Sequence, residues 1–394
     1  MPASTLPRLA QLAICASACL ATPTLPKAPQ PSLRCQYFDI PVAARAVNKI
    51  LPENWSDIKA PQLIPNLLAS LESAGTAAVE GKYTIAARFC PPLNDVEKRR
   101  DTLQVLVHGV GYTKDYWSGP ATEDIGTGST NSSWIYYAAQ QGYPTLAIDR
   151  LCSGTSSKPN GIVDCQLPLE AAVIEKVVEA ARDGALPGIE TKFSNIIYIG
   201  HSFGSMIGNF IAASKPSTFD KLILTGFSEK LLIGASSIIL RPGWLPASFL
   251  SDRFGTADVG YLTASSRKAS DRVFYGDDID SRVLDYAWKT RGIFTVGEML
   301  TALLGQGKAS GFSGDVFVLN GDQDNLFCAS NPITATEGKR GRCEAEDTSK
   351  HVQRDYPAAR RFDYLNLPNT GHSLLLHRDA SVAISAAHEF IAAG

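Results

Sequence analysis

No apolar run in the sequence reaches the roughly 18 residues that a membrane-spanning helix needs, so no stable membrane span is expected. Long blocks of one charge sign are also missing, with 37 Lys and Arg standing against 39 Asp and Glu. That balance offers neither a basic groove for nucleic acid nor a polybasic patch for a membrane surface, which leaves a small molecule as the expected partner. The cysteines are not spaced as a zinc-ligand set, so no metal site is expected. There is no internal repeat of the kind that builds solenoids or propellers, and no long low-complexity tract.

What is present is an ordinary globular composition, 44% hydrophobic over 394 residues, enough to bury a large core. The first residues read as an address: Arg8 precedes the apolar run 9–21, which closes on small residues before a Pro-rich stretch. A signal peptide over 1–21 and a secreted product are therefore expected, rather than a short membrane anchor. Six cysteines remain beyond that leader. Proximity pairs Cys152 with Cys165 and Cys328 with Cys343, leaving Cys35 with Cys90, a disulfide framework suited to an oxidising compartment. Asn54 and Asn131 head sequons that such a compartment could glycosylate.

After an N-terminal extension over 22–81, which contains an amphipathic stretch at 64–73, strand and helix signals alternate. Strands are expected at 82–89, at TLQVLVHG, PTLAIDR, NIIYIG and KLILTG, and helices at 134–141 and 169–182. This rhythm predicts an α/β fold with a doubly wound, mostly parallel sheet. It runs through a first core segment, 82–226, breaks over 227–312, and resumes with DVFVLNG in a second core segment, 313–394. The interruption reads as a helical cap, with a long helical piece at 282–304. Its aromatics, Trp244, Phe249, Tyr261, Phe274, Tyr275, Trp288 and Phe294, either roof a pocket or form the cap's own core. The apolar stretch 231–240 is expected as a buried helix rather than an exposed lid.

Within NIIYIGHSFGSM, the pentapeptide Gly200-His201-Ser202-Phe203-Gly204 follows an apolar strand and precedes a helix-like stretch. That context fits a nucleophile elbow, a tight turn that lifts a serine hydroxyl clear of the sheet. A serine needs an imidazole to take its proton and a carboxylate to orient the imidazole. His372, after a strand and a glycine turn, is placed to be the base; His377 and His388 lie farther along. Asp324 is the favoured carboxylate, with Asp322 the alternative after the same strand. Val110, following His108-Gly109, and Phe203 would offer backbone amides to a developing oxyanion.

The order Ser202, Asp324, His372, with His108-Gly109 upstream and an insertion before the acid strand, resembles the cap-bearing α/β-hydrolase superfamily. LQVLVHGVGYTKDYW, LAIDRLCSGTSS and LILTGFS are similar to secreted fungal α/β-hydrolases, some of them associated with secondary metabolism. The resemblance implies an α/β-hydrolase fold with the cap inserted before the acid strand. It implies Ser202 as nucleophile, His372 as base, Asp324 as orienting acid, Val110 and Phe203 as the oxyanion hole, and no cofactor. The serine at the elbow separates the chain from epoxide hydrolases and haloalkane dehalogenases, which carry aspartate there. It departs from its relatives at Cys152, where they often have glycine, and in a lengthened stretch at 328–355. The expected activity is cleavage of a carboxylic ester, or a lactone, of an apolar small molecule; hydrolase-fold lyase or cyclisation chemistry on natural products and a non-catalytic binding role are the alternatives.

Overall fold

The computed structural model describes residues 33–51, 73–119, 132–231, 243–255, 257–328 and 341–394. The leader, the sequon asparagines Asn54 and Asn131, the stretch 64–72, residues 232–240 and part of the lengthened segment lie outside the described residues. Eight strands build the main sheet: β1 (Gln36–Lys49), β2 (Thr76–Cys90), β3 (Thr102–Val107), β4 (Thr145–Ile148), β5 (Asn195–His201), β6 (Lys221–Thr225), β10 (Asp315–Gly321) and β11 (Arg361–Leu367). Their spatial order is β1-β2-β4-β3-β5-β6-β10-β11. β1, β2 and β4 meet antiparallel and every later neighbour is parallel. The parallel strands read as unbroken apolar runs because both faces are covered; Val105, Leu106, Leu146, Ile199, Leu222, Ile223, Leu224 and Val318 are fully buried.

Three helices link the first strands. α1 (Trp134–Gln140) starts where the Ser133 side chain accepts the Tyr136 N–H. α2 (Leu167–Asp183) opens with proline in its first turn and stops at Gly184, left-handed at φ 70°. α3 (Phe203–Ser214) follows β5 directly. α2 packs on α3, whereas α1 packs on the closing helix, so the connections cover opposite faces of the sheet as right-handed crossovers require.

Between β6 and β10 the chain forms α4 (Ala247–Leu250), α5 (Arg267–Phe274), α6 (Ser281–Thr290) and α7 (Val296–Thr301). It also forms a three-stranded antiparallel sheet of β7 (Trp244–Pro246), β8 (Tyr261–Ala264) and β9 (Phe294–Thr295). The insertion is thus mixed rather than purely helical. The helix expected over 282–304 is broken where Gly292 passes the β3 loop, its N–H donating to the Gly111 carbonyl at 2.7 Å, and where Phe294 pairs with Leu262. α8 (Thr348–His351) precedes β11, and α9 (Ala380–Ala392) closes the chain.

Within the segment read as an extension, residues 36–49 form β1 and pair with β2 along their whole length. Pro41 sits in this strand without breaking it, because β1 is at the sheet edge, where a missing ladder donor is tolerated. Disulfides join Cys35 to Cys90, Cys152 to Cys165 and Cys328 to Cys343. Cys152 has φ 70°, the left-handed region that favours glycine.

Candidate active site

From β3 the chain crosses to β4 on one side and then returns past β3 to β5 on the other. Such a reversal opens a crevice beyond the carboxyl ends of the two strands. The turn after β3 carries Val110, and the turn after β5 carries Ser202. Ser202 has φ 55° and ψ −117°, a strained conformation for a residue with a side chain. The flanking glycines make the turn feasible. A Cβ on Gly200 would come within 2.6 Å of the Ser205 backbone, and one on Gly204 within 2.1 Å of the Val107 carbonyl oxygen. Strand and helix therefore cross with no room for a methyl group.

His372 and Asp324 are brought together. His372 Nδ1 lies 2.7 Å from Asp324 Oδ2, with both side chains buried. An ionised carboxylate only accepts, so Nδ1 carries the proton and Nε2 presents its lone pair. His372 Nε2 is buried and makes no hydrogen bond among the described residues. The other oxygen, Asp324 Oδ1, accepts the N–H groups of Leu326 and Phe327 at 2.7 and 3.0 Å, which fixes the carboxylate. Asp322 is not part of this group: its Oδ1 accepts the Glu344 N–H at 2.8 Å. His377 instead holds the loop around His372, accepting the N–H groups of Gly276 and Gly371 and donating to the Ser373 carbonyl. His388 lies among Gln104, Trp134 and Tyr137, away from the group.

Ser202 and His372 neighbour the adjoining residues Thr225 and Gly226. Ser202 N–H donates to the Thr225 carbonyl at 2.8 Å, and a Cβ on the next residue, Gly226, would lie 2.8 Å from His372 Cε1. Gly109 is equally close from the other side, where a Cβ would meet Ser202 Cβ at 2.8 Å. This sets the Val110 turn beside the serine. Phe203 is the first residue of α3, a position whose N–H has no acceptor within its own helix. The β3 turn is braced by His108, whose Nε2 accepts from the Arg150 N–H at 3.2 Å and contacts Ser153 Oγ at 3.1 Å. Burial, then the Arg150 charge, pulls the His108 pKa down to about 3, keeping it a neutral acceptor.

Aromatic rings enclose the imidazole. Phe327 stacks on His372 with centroids 5.5 Å apart, Phe274 of α5 stacks at 6.0 Å, and His201 lies at 4.8 Å. Tyr116 in turn stacks on His201 at 4.5 Å. Burial, followed by His372 and His108, holds the His201 pKa well below its ordinary value, so no second cation stands beside His372. Of the insertion's aromatics, Phe274 roofs the site and Tyr275 meets Tyr112 through their hydroxyls, whereas Phe249 is exposed. His201 lies within the elbow pentapeptide, but no sequence motif marks Tyr116 or Phe327 for these places around the imidazole; their roles arise from contacts across the fold.

A cavity of about 780 Å³ lies along the seam between the core and the insertion, with Thr113, Lys158, Arg253, Arg291 and Gly292 in its lining. Gly292 also touches Gly111, so one wall of the cavity backs onto the Val110 turn.

A family model described as "Alpha/beta hydrolase family" matches residues 104–384. A comparison with curated proteins finds no match. Among solved structures, the chain is similar to an alpha/beta hydrolase fold protein from Chitinophaga pinensis at 13% identity, covering 78% of this chain and 94% of that one, with a TM-score of 0.48. It is also similar to an esterase from Rhodococcus sp. ECU1013 at 16% identity, covering 79% and 95%, with a TM-score of 0.48. A thermophilic esterase from Thermogutta terrifontis matches at 13% identity, covering 79% and 94%, with a TM-score of 0.47.

Proposed function

Because the chain belongs to the alpha/beta hydrolase family, we propose that it is a serine hydrolase cleaving a carboxylic ester or lactone of a small, largely apolar molecule. The observation that carries this reading is the buried His372–Asp324 pair, with Nε2 left as an acceptor beside a serine held at positive φ. In this reading Ser202 Oγ attacks the acyl carbonyl while His372 Nε2 takes its proton. Asp324 stabilises the imidazolium, and the Val110 and Phe203 amides receive the oxyanion. His372 then protonates the leaving alcohol, and water, activated by the same imidazole, releases the acid from the acyl enzyme. The serine–imidazole hydrogen bond, not made among the described residues, forms in this reading as substrate engages.

Residues 227–312 act in this reading as a cap whose Phe274 shields the imidazole from water. We further read the protein as secreted, with which its three disulfides are compatible. No described helix is long and apolar enough to cross a membrane.

Labelling with a fluorophosphonate and mapping the adduct by peptide mass spectrometry tests the proposal. One adduct per chain on Ser202 is expected, with none in Ser202→Ala at unchanged melting temperature. An unlabelled wild type, or a variant that labels as well as wild type, would overturn the nucleophile assignment.

A further inference from the structure

Arg150, two residues past the end of β4, is fully buried, and its Nη1 donates to two carboxylates. One is Glu170 of α2, at 2.5 Å, and the other is Glu298 of α7 in the insertion. The face of the same guanidinium lies over the Phe203 ring, with its carbon 4.9 Å from the centroid. The backbone N–H of Arg150 reaches His108 Nε2. One residue therefore touches the core, the insertion, the serine turn and the β3 turn. Glu298 is itself fixed, because its side chain accepts the Thr295 N–H while Thr295 Oγ1 accepts the Glu298 N–H and donates to the Cys165 carbonyl.

Burying three ionisable groups is a poor way to gain stability, since their desolvation offsets most of the attraction and an apolar cluster of equal volume does as well or better. What the cluster supplies is direction. The guanidinium sets one nitrogen, Nη1, against two carboxylates and lays its planar face over an aromatic ring, a stacked geometry that the compact ammonium of lysine does not reproduce. Resting on the proposed acyl-transfer function, we propose that Arg150 is a positioning residue: it clamps Phe203 so that its amide points at the oxyanion, and through Glu298 it makes that alignment depend on how the insertion is seated.

The second-order rate of fluorophosphonate labelling at Ser202 depends on oxyanion stabilisation together with activation of the serine, and melting temperature reads stability. Removing an oxyanion donor outright costs about 100- to 1000-fold, so misaligning one through Arg150→Lys is expected to slow labelling about 10- to 100-fold. Glu298→Gln, which keeps shape and removes the charge, is expected to slow it about 5-fold or more, and the double variant less than the product of the two. Asp315→Asn is the control. Asp315 is a buried carboxylate bound by Lys221, Arg360 and Arg361 at the start of β10, the opposite end of the sheet, so its loss should lower the melting temperature and leave the labelling rate unchanged. If Arg150→Lys does not fold, Glu298→Gln decides the question. Folded variants that melt earlier but label at the wild-type rate would overturn the positioning role alone. Absence of labelling on wild-type Ser202 would overturn the proposed function, and this inference with it.

Discussion

Asp322 and Asp324 follow the same strand two residues apart, yet they face different neighbours. Asp324 turns inward to His372 while its second oxygen is occupied by two backbone N–H groups; Asp322 turns toward Glu344. In Asp324→Asn the side chain keeps an oxygen for the backbone but sets an amide N–H against Nδ1. That favours the tautomer with its proton on Nε2, which cannot accept from a serine. Turnover of an activated ester such as p-nitrophenyl acetate is expected to fall about 10,000-fold, the scale of the equivalent change in a serine-protease triad. Asp322→Asn should stay within about 2-fold of wild type by the same assay. Small, equal losses would place the orienting carboxylate elsewhere. The sequence alone could favour Asp324 but not separate the two, because the distinction lies in which way the turn after Gly321 rotates each side chain.

Elements are legible where their pattern is local. β5 and β10 show as apolar runs, and α2 shows by its period with proline and glycine at its ends. β1 does not, because only alternate residues such as Ile40, Val42 and Ala44 are buried and Pro41 argues against a strand until the edge position is known. The joint between α9 and the sheet is another long-range feature. His388 donates from Nδ1 to the Ile384 carbonyl, and its Nε2 faces Gln104 Nε2, whose oxygen is taken by the Trp134 indole. Nε2 must therefore be an acceptor, and burial lowers its pKa from 6.5 to about 4. The unfolded chain then binds this proton first as pH falls, so stability is lost between pH 6.5 and 4, by about 3 kcal/mol at most for this residue. Denaturant titrations should show a shallower decline over that window in His388→Gln than in wild type; identical slopes would mean that His388 is not the titrating joint.

At the scale of the molecule, two of the three disulfides brace different things. Cys35–Cys90 spans 55 residues and ties the start of the edge strand β1 to the end of β2. Cys152–Cys165 spans only 13 but lies where the loop after β4 meets the insertion: the Cys165 carbonyl accepts from Thr295 Oγ1, and Cys152 follows Arg150 by two residues. Loop-closure entropy ranks the long bridge as the stronger, at about 4 kcal/mol against about 3 kcal/mol. Function should rank them the other way. Replacing Cys35 and Cys90 with serine is expected to lower the melting temperature while folded protein labels at the wild-type rate, because the pair is remote from the serine turn. Replacing Cys152 and Cys165 should cost less stability but slow labelling, since it frees the segment that seats Glu298 against Arg150. Equal labelling rates in the two double variants, measured on folded protein, would show that the loop after β4 holds its geometry without the bridge, and would leave the fit of the insertion to its other contacts.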